Sequence, residues 1–346
     1  MRSAPAAPLI LLIAALAACS DDATTDPLGP TDTADRAATQ AAIGEIGDVE
    51  AVLSLDAAAG ELPEGIAVDR RGNVYFTLAP LARVVRMTPE GETSVYATLD
   101  PAFPTGAPGA LGVATTASGE VLAALASFDP ATHGVYSIDG DGTATRIDGT
   151  ADIAFPNGLA LDRRGTLYIT DSVTGAIWRV LPGGTAEPWI QDPLLEGTGA
   201  FGLGIPLGVN GIAIRQGSIY VTNVEDPAIL EIPVEHDGSA GALRVITSGM
   251  ALLGLDGLEI DVHGRLYAAV NIQNRIIRVD PRTGAITDLA SDGVDFPAAL
   301  AFGTSRGLQK TVFITNFAFV DVPGDADPAG PGIARLHVGV PGQPLP

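Results

Sequence analysis

The segment PEGIAVDRRGNVYFT at 63–77 is written again, with conservative changes, as PNGLALDRRGTLYIT at 156–170. A chain that repeats one unit must stack its units in a row or close them into a ring, so this feature constrains the fold more than any other. The unit is a glycine, a run of alternating apolar residues, often an aspartate, a glycine turn, and an apolar strand with tyrosine. It recurs as NGIAIRQGSIYVT from Asn210 and DGLEIDVHGRLYAA from Asp256. Two weaker copies, GALGVATTASGEVLAAL from Gly109 and PAALAFGTSRGLQKTVFIT from Pro297, fill the gaps. Starts fall 40 to 55 residues apart, giving six units.

Each unit reads as strands. GIAVD alternates with period two, RRGN turns, and NVYFT continues with β-branched and aromatic residues. A third strand follows (ARVVRM, GAIWRV, NRIIRV), closed by a Pro/Gly turn, and then a fourth (TSVYATL, AEPWIQ, AITDLAS). Four strands in each of six units predict an all-β, six-bladed β-propeller. Solenoid repeats, the main alternative, are shorter or helical. The last unit lacks one strand, and an orphan strand, VEAVLSLD at 49–56, precedes the first. That orphan is expected to complete the sixth blade beside GIARLHVGV, which removes the exposed edges of the sheet.

In such a ring the residue just before the first glycine of each unit lies at the mouth of the central channel. Four of these slots hold oxygen-bearing side chains: Glu64, Asn157, Asn210 and Asp256. The slots of the second and sixth units are apolar or small. Two carboxylates and two amides aimed at one axis suit a hard cation such as calcium, which takes six to eight oxygen ligands. Nothing suits zinc, because the domain has no cysteine and no paired histidines. Asn-Gly and Asp-Gly are also favoured turn pairs, so turn chemistry alone remains an alternative for Asn157, Asn210 and Asp256; Glu64 fits it poorly.

The chain begins with Arg2, an apolar run from Pro8 to Ala18 and then small residues. That run is too short to span a bilayer and reads as a signal sequence over 1–18. Leu16-Ala17-Ala18-Cys19 looks like a bacterial lipobox. Cys19 is the only cysteine, so it has no disulfide partner, and it is expected to carry a lipid. Residues 19–48, rich in Asp, Thr, Ala and Pro, read as a flexible tether ahead of a propeller at 49–346. These features predict an exported protein held at the cell envelope by the anchor alone. The formal net charge of −22, with Lys310 the only lysine, argues against nucleic acid as a partner. A monomer is expected.

The repeat, the PEGIAVD and PNGLALD openings and the Glu, Asn, Asn, Asp slot order resemble the SMP-30/gluconolactonase/LRE-like family, whose relatives include diisopropylfluorophosphatases and paraoxonases. The resemblance covers roughly residues 49–340. It implies a calcium ion at the channel mouth held by Glu64, Asn157, Asn210 and Asp256. It also implies hydrolysis of a lactone or related ester, and in relatives of phosphotriesters. A metal-bound carboxylate would then act as nucleophile or as base toward water, with Asp256 favoured and Glu64 second. The pattern departs from sugar-lactone members, which carry polar substrate contacts in the second unit, because PGALGVATTASGEVLAALAS has no Asn or Arg near the mouth. That departure favours a more apolar ester or lactone. His133, His236, His263 and His337 fall away from the slots. A non-catalytic surface propeller that binds a ligand or protein is the competing reading. The Gly-rich segment 194–211 is expected to wall the channel mouth with Phe201, Leu203 and Ile205.

Overall fold

The computed structural model describes residues 46–346, apart from 101–102, 104–107 and 320–328. The signal sequence, Cys19 and the tether up to residue 45 lie outside the described residues. Six antiparallel sheets of four strands each follow one another along the chain. Their first strands are Pro63–Val68, Gly109–Thr115, Pro156–Leu161, Val209–Arg215, Leu255–Ile260 and Pro297–Phe302. These strands neighbour one another in order, and the sixth returns to the first, so the sheets form the blades of a closed propeller. Among the described residues the only helices are 3-10 turns of three residues.

The ring closes as the sequence predicts. Val49–Ser54 pairs antiparallel with Gly332–His337 and supplies the outer strand of the sixth blade. Val52, Leu53 and Leu55 then pack on a cluster containing Phe313 and Ile333 of blade six and Met87 of blade one. The exposed Arg335–Glu50 ion pair across the same two strands adds little, because water screens it. Burial of the apolar side chains is what fastens the two ends.

Six of the core clusters are seams, one between each pair of neighbouring blades. Tyr75, Val84, Val113 and Val121 fill the seam between blades one and two, and Leu122, Leu159 and Ile169 the next. Each blade buries both faces, which is why second strands such as Val74–Leu78 and Val121–Ala126 are buried along their whole length. The loop between the first and second strands is an Asp-capped hairpin. Asp69 accepts from the backbone of Arg71 and Asn73, Asp162 from Arg164 and Thr166, and Asp261 from His263 and Arg265, at 2.8–3.0 Å. This accounts for the recurring aspartate of the repeat. Segment Pro341–Pro346 crosses that hairpin end of the channel, where Gln343 donates to Ile260 O (3.0 Å) and Ile214 O (2.7 Å).

The glycine after each slot has a role the sequence did not reveal. Gly65, Gly158, Gly211 and Gly257 lie inside strands, and none has a positive φ. A Cβ there would collide with the next blade instead. At Gly112 it would sit 2.2 Å from Asn157 O, at Gly158 2.4 Å from Asn210 O, and at Gly211 2.3 Å from Asp256 O. Turn chemistry is therefore not the reason for these Asn-Gly and Asp-Gly pairs. Gly112→Ala is expected to cost about 2–3 kcal/mol, because a backbone strand must move. Gly140→Ala, where a Cβ meets open space, is expected to change stability by less than about 0.5 kcal/mol. Urea unfolding of both variants checks this, and equal midpoints would contradict the close-approach account.

Candidate metal centre

The first strands enclose a central channel of about 730 Å³. Glu64, Asn157, Asn210 and Asp256 all line it, each one residue before its glycine. The order round the mouth is Glu64, Leu111, Asn157, Asn210, Asp256 and Ala298, because five slot carbonyls abut the glycine of the blade before them and Thr315 links the sixth, Glu64 O, to Ala299 N. A threonine at the end of the second strand fixes this ring. Thr170 Oγ1 accepts from Gly158 N (2.8 Å) and donates to Asn210 O (2.7 Å). Thr222 does the same between Gly211 N and Asp256 O, and Thr315 between Ala299 N and Glu64 O. Since the hydroxyl and the backbone hold the slot residues, the slot side chains are free for other work.

The two carboxylates are the electrostatic problem of the site. Glu64 is 8% and Asp256 7% exposed. Neither has an ion-pair partner among the described residues. Burial, and then the charge of Asp256, push the Glu64 carboxyl well above the usual range. Burial pushes Asp256 up to about 7, against hydrogen bonds from Asn271 and Asn210 that pull it down. Asn271 Nδ2 donates to Asp256 Oδ2 at 2.9 Å, while the side-chain oxygen of Asn271 accepts from Ile272 N. Asn157 Nδ2 donates to Ser172 Oγ at 3.2 Å, and Ser172 donates on to Val209 O. The amide oxygen of Asn157 is left without a hydrogen bond among the described residues.

This donor set fits a hard cation. Two buried carboxylates with no arginine or lysine beside them must share protons or bind a positive ion. The amides offer further oxygens of the kind calcium takes, and nothing soft competes. No group of three or more His, Cys, Asp or Glu side chains occurs among the described residues, so the acids are limited to this pair plus amides.

Several residues that shape the site were not singled out from sequence. Asn271 and Ser172 each follow the second strand of their blade, and the pairing of that strand with the first sets each beside its own blade's slot. Glu225, 4% exposed, accepts from the backbone of Gly199, Phe201 and Leu207 and so pins the 197–208 loop at the mouth. Ile205 and Leu207 of that loop join Leu111, Phe155 and Phe317 in an apolar cluster; Phe201 and Leu203 are not in it. Glu259 carried a signal that could have been read. The residue three after each slot is Ala67, Ala114, Ala160, Ala213, Glu259 or Ala301. Glu259 thus breaks a ring of alanines inside the channel, where burial pushes its carboxyl up to about 7. His133 is structural: its Nδ1 accepts from Phe128 N (3.1 Å) and its Nε2 lies 2.7 Å from Ile153 O.

Comparison with known proteins agrees with this architecture. Residues 206–317 match a family model described as SMP-30/Gluconolactonase/LRE-like region. The match takes in Asn210, Asp256, blades four and five and the first half of blade six. No curated protein matches the chain. Among solved structures, a luciferin-regenerating enzyme is 14% identical, with a TM-score of 0.66 over 87% of this chain and 98% of its own. A gluconolactonase from Xanthomonas campestris is 17% identical, with a TM-score of 0.64 over 88% and 93%. Regucalcin from Agrobacterium tumefaciens, described as a calcium-binding protein, is 17% identical, with a TM-score of 0.62 over 86% and 97%. At such identities the likeness is one of fold. Residues 206–317 of the propeller are thus similar to the SMP-30/gluconolactonase/LRE-like region, the family its repeat and slot order resemble.

Proposed function

We propose that this propeller is a calcium-dependent hydrolase of a lactone or related ester. The observation that carries the reading is the buried Glu64–Asp256 pair, left without a cationic partner among amide oxygens at one end of the channel. The gluconolactonase and calcium-binding neighbours support it. Glu64, Asn157, Asn210 and Asp256 would hold the ion, which when bound would polarise the acyl carbonyl and offset the charge that develops on its oxygen.

The remaining steps belong to the chain. Asn271 and Asn210 orient the Asp256 carboxylate. Asp256 takes the proton of the water that attacks the acyl carbon, and returns it to the alkoxide oxygen as the acyl C–O bond breaks. Glu64 is the second choice for the role. A panel of lactones, aryl esters and phosphotriesters tests the reading. With calcium, Asp256→Asn is expected to lower kcat by roughly 10²-fold or more, and Glu64→Gln to weaken calcium binding. Chelator is expected to lower the melting temperature by several degrees, the size of a ligand bound well above its Kd. Full activity in Asp256→Asn, or a melting temperature indifferent to chelator, would instead favour the non-catalytic binding propeller.

The pH dependence has a definite sign. Asp256, Glu64 and Glu259 bind protons more tightly folded than unfolded, so the native state holds more protons between about pH 4 and 7. Stability in chelator should therefore fall as pH rises through that window, and calcium should restore more at pH 8 than at pH 5. Glu259→Gln should remove part of the slope, gaining about 1–2 kcal/mol at pH 8 in chelator and nothing near pH 4. Melting curves across pH read this directly, and a slope unaltered by the substitution would exclude Glu259 as a contributor.

We place the protein at the cell envelope on the strength of the lipobox sequence. Metabolic labelling with a fatty acid should mark the full chain and fail for Cys19→Ser; label retained in that variant would refute the anchor.

A further inference from the structure

The two faces of the ring carry unlike charge. Strands alternate in direction, so the Asp-capped hairpins and the loops between third and fourth strands share one face, and the mouth loops share the other. The inner hairpins of blades one, three and six present Arg70, Arg71, Arg163, Arg164, Arg306 and Lys310, all exposed. None of the six forms an ion pair among the described residues. Arg70 and Thr304 line the end of the channel, and Thr304 donates to Asp69 O across the boundary between blades six and one. Acids on this face, such as Glu90, Glu92, Asp139 and Asp237, stand on the outer loops.

The mouth face is different. From residue 46 on, Arg83, Arg146 and Arg275 are the only basic residues that lie toward it. Arg275 is paired with Asp288, and Arg146 donates to the carbonyls of Pro130, Ala131 and His133. Exposed Asp56, Asp129, Asp152, Glu196, Asp226 and Asp292 are spread round this face, without an ion pair among the described residues. The chain enters the propeller on the opposite side. Gly47 N donates to His337 O (2.9 Å) and Val49 pairs with Leu336, both at the hairpin end of the sixth blade. Residues 19–45 therefore join the propeller at the hairpin face.

An anionic bilayer has a negative surface potential that fades within a Debye length, about 10 Å at 0.1 M salt. It repels a free protein of net charge −22. A protein held close by a lipid cannot leave and can only turn. The least repelled orientation sets the hairpin face inward, where unpaired arginines meet lipid phosphates, and the acidic mouth outward. We propose that the hairpin face docks on an anionic phospholipid surface, with Arg70, Arg71, Arg163, Arg164, Arg306 and Lys310 toward the lipid phosphates and the mouth turned to water. Attachment rests on the Cys19 anchor proposed above; orientation rests on the charge distribution alone. The site at the mouth then takes its substrate from the aqueous side.

The test uses the full chain, its Cys19 thiol coupled to a maleimide-headgroup lipid in vesicles that also carry an acceptor dye on a headgroup. Lys310, the only lysine, takes an amine-reactive donor dye. In a second protein, Lys310→Arg with Met250→Lys, the donor stands beside the mouth, where Met250 is 70% exposed. Lys310→Arg alone gives the background from the terminal amine. On phosphatidylglycerol vesicles we expect energy transfer from position 310 to exceed that from position 250 by roughly twofold or more, and the ratio to fall on phosphatidylcholine vesicles or at high salt. Arg71→Glu, Arg163→Glu and Arg164→Glu together should abolish the excess on phosphatidylglycerol; all three sites are exposed, so the fold should persist. Equal transfer from the two positions, more from position 250, or a ratio indifferent to lipid charge overturns the inference and leaves the anchor untouched. Missing fatty-acid label at Cys19 overturns both.

Discussion

Everything at the mouth depends on how closely adjacent first strands approach. The carbonyl of each of five slots is pressed against the glycine of the preceding blade, closer than any side chain would allow. Where the second strand ends in threonine, its hydroxyl bridges that contact by accepting from one blade and donating to the next. A buried carbonyl with no partner would be costly, and the bridge supplies the partner. Because backbone and threonine hold the ring together, the slot side chains are not needed to stabilise it. A slot can therefore be Glu, Leu, Asn, Asp or Ala without opening the propeller.

That freedom is used in a way that works against stability. Glu64 and Asp256 are buried near each other in a protein with 41 acidic and 19 basic side chains. Arginines elsewhere pair with other acids, as Arg335 with Glu50, Arg179 with Glu187 and Arg265 with Asp261. None answers the pair at the mouth. A scaffold selected only to fold would fill these slots with apolar residues, as it does with Leu111 and Ala298. The retained charges are a structural cost that makes sense when a cation binds there.

The six units, their four strands and the N-terminal closing strand could all be read from period-two alternation and the recurring Asp-Gly hairpin. So could the four polar slots, because a residue just before an equivalent strand in every unit must converge on one axis. The meaning of the glycine beside them could not be read. A glycine required by a left-handed turn and one required by a neighbour's carbonyl look alike in sequence, and only the φ values separate them. Asn271 was hidden for another reason: the strand register that sets Leu255 opposite Val270 brings it beside Asp256, and that register carries no motif. Glu259 is different. Its difference from five alanines at the same offset was visible in the aligned units, but an Ala-to-Glu change on an inner strand carries no motif to draw notice.

The breaks in the repeat, more than the repeat itself, distinguish this channel. Identical blades would give a mouth with sixfold likeness, able to bind a sphere but unable to orient a substrate. Here three neighbouring slots are polar, and the fourth acidic residue, Glu64, is set apart by Leu111 on one side and Ala298 on the other. The loops follow the same division. Glu225 ties down the segment that carries Ile205 and Leu207 to the apolar half, and Asn271 supports the carboxylate in the polar half.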